Sequence, residues 1–166
     1  MSYDIAAFDA LPQPVAERLL RGCCASIAWA RAVAAGRPYR STDALLAAAD
    51  TALAALDEPG VDEALAGHPR IGERSASAAS AREQAGVLRS DEAVLTALAE
   101  GNREYEERFG HVYLVCATGR SGADLLAVLE QRLGNDPATE RVRTRAELGK
   151  INRIRLAQLV TDGGPR

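Results

Sequence analysis

Apolar residues in this chain recur at spacings of three and four, and the pattern breaks at glycines, prolines and a few serines. That period belongs to amphipathic helices; strands alternate at every second position. From Pro14 to Ala35 it predicts two helical stretches, stopped by Gly36, Arg37 and Pro38. Ser41 caps the next helix, whose stripe is Leu45, Leu46, Ala49, Leu53 and Leu56, before Pro59-Gly60 breaks it. A short helix over Val61 to Ala66 leads into Gly67-His68-Pro69-Arg70-Ile71-Gly72, where glycine and proline impose irregular backbone. Ser80-Ala81-Arg82-Glu83 has the S-x-x-E form of a capping box opening another helix. Ser90 is placed to cap a long helix from Asp91 to Phe109, closed by Gly110. Ser121 caps a helix through Leu133, Gly134 to Pro137 make a turn, and a last helix runs to about Val160.

One segment departs from this period. Val112 to Cys116 (V-Y-L-V-C) is β-branched and apolar, but a single run of that length has no strand to pair with, so it is expected as buried extended chain. The expectation is an all-α fold of about seven to nine helices with one buried extended segment. No linker, repeat or low-complexity tract divides the 166 residues, so one domain is expected over 1–166, with its core at about 8–160.

Composition narrows the partners. Hydrophobic residues make up 47% of the chain and charged ones 26%, with a formal net charge of -3, so the basic face that nucleic-acid binding needs is not expected. No apolar run is long enough to span a bilayer, and Met1-Ser2-Tyr3-Asp4 lacks the basic flank of a signal peptide. The last residues, Gly163 to Arg166, carry no S-K-L signal. Cys23 and Cys24 are adjacent and Cys116 is distant, which suggests neither a disulfide framework nor a zinc site and points to a reducing cytoplasm. With only two histidines, and no H-E-x-x-H or C-x-x-C, no metal is expected.

Few residues then stand out for chemistry. His68 is one, because its side chain titrates near neutrality and Gly67 and Pro69 constrain its backbone; the plainer reading is a packed loop histidine. Glu83 and Gln84 are explained by helix capping, and Arg155, among Lys150 and Arg153, by a solvated charged face. His111 follows Gly110 at a helix end, where a cation suits the dipole. Cys23, Cys24 and Trp29 fall on helical faces and are expected in the core.

Taken in order, however, several segments form a set: F-D-A-L-P (Phe8 to Pro12), C-C-A-S-I-A-W-A (Cys23 to Ala30), R-P-Y (Arg37 to Tyr39) and H-P-R-I-G (His68 to Gly72). They continue with S-A-R-E-Q-A-G (Ser80 to Gly86), Y-E-E-R-F-G (Tyr105 to Gly110), V-Y-L-V-C-A-T-G-R (Val112 to Arg120) and R-I-R-L (Arg153 to Leu156). This series resembles the 2-oxo-4-hydroxy-4-carboxy-5-ureidoimidazoline (OHCU) decarboxylase family from about Phe8 to Leu159.

The resemblance implies an enzyme of urate breakdown that decarboxylates OHCU to (S)-allantoin. It implies His68 and Glu83 as catalytic residues and Arg155 as substrate-binding. Pro69, Ser80, Gln84 and the backbone of Tyr113, Leu114, Val115, Cys116 and Ala117 would line the site. No cofactor is implied, since the substrate's own C=N bond can take the electrons released with carbon dioxide. Partners implied are the small ureidoimidazoline and a second copy in a homodimer; neither nucleic acid nor membrane is expected. Arg70 and Gly72-Glu73 depart from the family's commoner pattern, and the connection from His68 to Ser80 is short. Two other readings stay open, a helical protein-interaction module and a different small-molecule enzyme on the same scaffold.

Overall fold

A computed structural model describes residues 1–163; Gly164, Pro165 and Arg166, on which part of the expectation about the C-terminal signal rests, lie outside the described residues. Among the described residues there are nine helices and two strands of two residues each. The chain forms two compact units, Met1–Gly67 with Gly149–Arg166, and His68–Leu148.

The first unit holds β1 (Tyr3–Asp4), α1 (Ile5–Asp9), α2 (Gln13–Cys23), α3 (Ile27–Ala35), α4 (Thr42–Ala54) and α5 (Glu58–Ala66). It is completed by the second half of α9 (Pro137–Leu159) and by β2 (Val160–Thr161). Its core is Phe8, Leu20, Trp29, Leu45, Val61 and Leu156, all essentially inaccessible to solvent. Trp29 donates its indole N–H to the Ala49 carbonyl at 3.0 Å, so the largest apolar side chain leaves no buried donor unmet. Arg37 ties the start of the chain to α3, donating to the carbonyls of Phe8 (3.0 Å), Leu11 (2.7 Å) and Ala34 (2.9 Å). The expected core positions Cys23, Cys24 and Trp29 are all buried.

The second unit holds α6 (Ala78–Glu83), α7 (Glu92–Phe109), α8 (Gly122–Leu133) and the first half of α9. Its core joins Ile71, Val87, Leu98, Tyr105, Tyr113, Val115, Leu125 and Leu129. α7 meets α8 closely at Gly101, where a Cβ would stand 2.5 Å from Leu129 Cδ2, so no side chain fits there unless Leu129 moves. Between these helices Val112 to Cys116 adopts neither helix nor strand, and Tyr113, Leu114, Val115 and Ala117 are buried, as the sequence led us to expect.

Several boundaries differ from expectation. Pro59 and Gly60 lie inside the first turn of α5, where proline's missing N–H costs nothing, and Asp57 is the cap, its carboxylate accepting from Gly60 N–H at 2.9 Å. α6 is opened by Ser77, which accepts from the backbone of Ser80; Ser80 and Glu83 are therefore interior and terminal helix residues, not a capping box. Asp91 rather than Ser90 caps α7, with Val94 N–H at 2.9 Å from its carboxylate, a better acceptor than a hydroxyl. The capping box occurs at Ser121 and Asp124. α1 and the parallel pairing of Tyr3 with Val160 are too short to leave a periodic signal.

Candidate active site

His68 and Pro69 are half-buried, in the irregular stretch between α5 and α6. The chain just beyond them is held by two side-chain amides. Gln84 donates Nε2–H to the Arg70 carbonyl at 3.2 Å and accepts from Gly72 N–H at 2.8 Å through Oε1. Asn102, on α7, donates Nδ2–H to the Ile71 carbonyl at 2.8 Å. The peptide joining Ile71 to Gly72 is thus gripped at its N–H by one amide and at its C=O by the other. Ile71 drives its side chain into the core, and Gly72 takes a φ of 90°, a region that side-chain-bearing residues rarely enter. Outside, Arg70 makes a two-pronged ion pair with Glu106 at 2.7 and 3.1 Å.

Gln84, expected to line the substrate, therefore spends both ends of its amide on backbone. Ser80 is buried within α6, and Glu83, the last residue of that helix, is half-buried.

The Tyr113–Ala117 segment hangs from a buried charged hub. Arg132 and Glu140, 3% and 0% exposed, form an ion pair, with Nε to Oε1 at 2.6 Å. Arg132 Nη1 donates to the Leu114 carbonyl at 2.6 Å and Nη2 to Thr144 Oγ1 at 3.3 Å; Glu140 also accepts from Asn135 at 3.0 Å and from the Tyr105 hydroxyl. Burial alone would disfavour the Arg132 charge, but Glu140 outweighs it and holds the guanidinium more firmly protonated than usual. Burial pushes the Tyr105 and Tyr113 phenols well above their ordinary range, so both stay neutral. Tyr113 donates its hydroxyl to the Leu125 carbonyl at 2.9 Å, and Cys116 N–H donates to Glu147 at 3.1 Å. His111 belongs to the same aromatic group, edge-on to Tyr105 at 5.6 Å between centroids; the end of α7 is closed by Gly110 in the left-handed region.

In the first unit, Arg155 is only 8% exposed, which corrects the expectation of a solvated face. It donates Nη1–H to the carbonyl of Cys23, the last residue of α2, at 3.3 Å, where the helix end is negatively polarised. Arg153 does lie outside, paired with Asp50 at 2.9 Å. Burial pushes the Cys23 thiol up to about 12 against the opposing pull of Arg155, so it stays protonated and weakly nucleophilic at neutral pH. Among the described residues no cluster of metal-ligating side chains occurs.

The supporting residues Asn102, Arg132, Glu140 and Glu147 escaped the sequence reading. A signal did exist for Asn102, a polar residue set between Leu98 and Tyr105 on the buried face of α7. Arg132 and Glu140 gave none, since they lie on separate helices and look like ordinary surface charge in sequence.

The profile of the OHCU decarboxylase family matches residues 9–157. The chain is 30% identical over 148 residues to the uric acid degradation bifunctional protein TTL of Arabidopsis thaliana, covering 84% of this chain and 46% of that one, about half its length. It is also 30% identical over 138 residues to the 2-oxo-4-hydroxy-4-carboxy-5-ureidoimidazoline decarboxylase of Amia calva, covering 79% of each. Among solved structures, an OHCU decarboxylase crystallised in the presence of (S)-allantoin superimposes with a TM-score of 0.75 at 27% identity, covering 83% of this chain and 94% of that one. An (S)-allantoin synthase at 17% identity shares the fold, with a TM-score of 0.72, covering 93% of this chain and 53% of that one. A family match that begins at Asp9 and ends at Ala157 takes in both compact units, the braced loop after His68 and the buried Arg155 alike: this chain belongs to the OHCU decarboxylase family.

Proposed function

We infer that the chain decarboxylates OHCU to (S)-allantoin and carbon dioxide in urate catabolism, by general acid-base catalysis without a cofactor. The observation that carries this reading is the H-P-R-I-G loop, secured by Gln84 and Asn102, in a chain matched by the family over residues 9–157.

The substrate bears its hydroxyl and its carboxylate on one ring carbon. As the bond to the carboxylate breaks, its electron pair forms a C=C bond to the adjacent carbon while the C=N pair moves onto nitrogen, which takes up a proton. The resulting enol is then protonated on one face of the adjacent carbon as its hydroxyl proton leaves, giving the ring carbonyl. His68 exchanges these protons, a contribution of about 10²- to 10⁴-fold. Glu83 orients the imidazole or accepts ring and ureido N–H groups. Arg155 binds oxygen on which charge develops, because a tight grip on the departing carboxylate would stabilise the ground state equally. Pro69, Ser80 and Gln84 line the site in this reading. In extended chain, successive residues turn their peptide groups to opposite sides. With Leu114 C=O and Cys116 N–H turned to Arg132 and Glu147, Val115 offers its N–H and C=O on the other side, to an amide-rich ring.

A cytoplasmic location is part of the proposal; no described helix is long and apolar enough to cross a membrane. A homodimer and a single functional domain are part of the proposal. The interaction-module reading needs an exposed apolar stripe; the exposed large apolar residues among those described are Met1, Ile27 and Val142, scattered along the chain.

The deciding experiment generates OHCU in place from urate with the two preceding enzymes and follows both its decay and the handedness of the allantoin. Spontaneous decay gives racemate. Faster decay with excess (S)-allantoin is the expected result, and unaccelerated decay to racemate would refute the activity.

A further inference from the structure

Arg82, Glu83, Arg89 and Arg120 border one shallow cavity of about 470 Å³ in the second unit. Local structure brings them there from two places in the chain. α6 supplies Arg82 and Glu83 from its last turn, and Arg89 follows, its Nε donating to the Ala85 carbonyl at 3.1 Å. The turn from Ala117 to Arg120, closed by Arg120 N–H on the Ala117 carbonyl at 3.0 Å, supplies Arg120 at the end of the buried extended segment. Gly86 allows the two to approach: a Cβ there would stand 2.6 Å from the backbone oxygen of Arg120, which cannot move aside as a flexible side chain would.

The charge in this cavity is unbalanced. Several guanidinium groups elsewhere meet carboxylates, as in Arg70 with Glu106, Arg132 with Glu140, Arg143 with Glu147 and Arg153 with Asp50. Arg82 and Arg120 meet none among the described residues, and Arg89 bonds a backbone carbonyl. Three guanidiniums therefore face one carboxylate, in a chain whose formal net charge is -3. Such a local reversal of sign draws small anions from solution and raises their encounter rate.

We propose that this cavity is a docking site for the carboxylate of an incoming ureido acid, occupied before the substrate reaches its reacting position beside Glu83. The inference rests on the activity proposed above. Its location suits transient capture, since Arg82 and Arg89 are exposed and Arg120 half-buried, so the grip is weak and exchangeable. A tight clamp on the group that departs would slow the reaction, whereas a loose one at the entrance speeds capture without lowering the ground state.

Two arms test the proposal. In the first, kcat/KM and kcat are measured at rising sodium chloride for the wild type and for Arg82→Gln/Arg120→Gln. Wild-type kcat/KM should fall about tenfold between low and physiological salt. The double variant should start roughly fivefold lower and stay nearly flat, with kcat unchanged. A double variant with wild-type kcat/KM and salt slope, or one that loses kcat instead, would overturn the site. In the second arm, which needs no turnover, arginine Nε–H resonances are followed during titration with diureidoacetate, a stable ureido carboxylate, and with neutral allantoin. The signals of Arg82 and Arg120 should move with the acid and not with allantoin. No movement, or tighter binding of inorganic phosphate than of diureidoacetate, would overturn the assignment; a wild type without turnover counts against the proposed function alone.

Discussion

Gln84 and Asn102 hold opposite ends of one peptide group, the N–H of Gly72 and the C=O of Ile71, from two different helical segments. Both are distant from His68 in sequence, yet between them they fix the direction in which the chain leaves it.

Asn102 does this at a cost. Its Oδ1 is buried and has no hydrogen-bonding partner among the described residues, a defect worth about 1–3 kcal/mol. Asn102→Leu removes the orphaned acceptor along with the useful donor, so the two effects on stability oppose each other. We expect thermal unfolding to move by no more than a few degrees while kcat drops roughly ten- to a hundredfold, the effect of misplacing a reacting group by about an ångström. Stopped-flow kinetics beside calorimetry would show the split; full activity in this variant would remove Asn102 from the positioning of the loop.

At Gln84 donor and acceptor are both engaged, so Gln84→Glu keeps the bond from Gly72 N–H but turns a charge towards the Arg70 carbonyl. If the residue acts by bracing the loop, kcat should fall in both Gln84→Glu and Gln84→Leu with KM little changed. A rise in KM alone would mean that it contacts substrate.

Arg132 and Glu140 make a second test. Removing one partner of a buried pair strands the other charge, at about 3–5 kcal/mol. Arg132→Met should therefore lower the urea midpoint strongly, and Arg132→Met/Glu140→Leu should recover most of that loss. The Leu114 carbonyl still lacks its donor in the double variant, so activity should not return with stability.

Alkaline stability follows from the Cys23 thiol. Its ordinary value is 9.0, and burial raises it to about 12 in the folded chain. Between those values the unfolded chain has released this proton and the folded chain has not, so stability falls as pH rises above about 9 and is untouched below it. Tyr105 and Tyr113, also raised by burial, act in the same direction at higher pH. Urea unfolding at pH 8 and pH 10.5 should show the loss, and Cys23→Ala should make it shallower; an equal slope in both proteins would contradict this.

For His68 itself, His68→Asn should retain the fold and lose about 10²- to 10⁴-fold in turnover, with the product reverting towards racemate. Arg155→Lys, which keeps the charge but not the planar fork, should lower kcat as well as raise KM. Unchanged turnover in His68→Asn would end its catalytic role.

Much of this architecture was legible beforehand. The long helices were, because a stripe such as Leu45, Ala49 and Leu53 repeats over several turns, and so was the extended run from Val112 to Cys116, whose Tyr113, Leu114 and Val115 are buried, because it is β-branched and apolar without polar alternation. Caps were legible only as chemistry: Ser77 and Ser80 compete to open α6, and Ser90 and Asp91 to open α7, and backbone direction, which sequence does not display, chose Ser77 and Asp91. Of the candidate site, His68 stood out from its own residues, while Glu83, Gln84 and Arg155 entered only through the resemblance. Arg155 read as surface charge because its helix is polar on nearly every side, and its burial depends on α2 ending at Cys23.

The clasp on the Ile71–Gly72 peptide also bears on the short connection from His68 to Ser80. Register is set at that peptide and by the turn in which Glu73 N–H donates to the Arg70 carbonyl at 3.2 Å, and residues 74–76 lie beyond these bonds. That stretch is free to gain or lose a residue in evolution, as slack beyond a knot can be cut or spliced without turning what is tied on the other side.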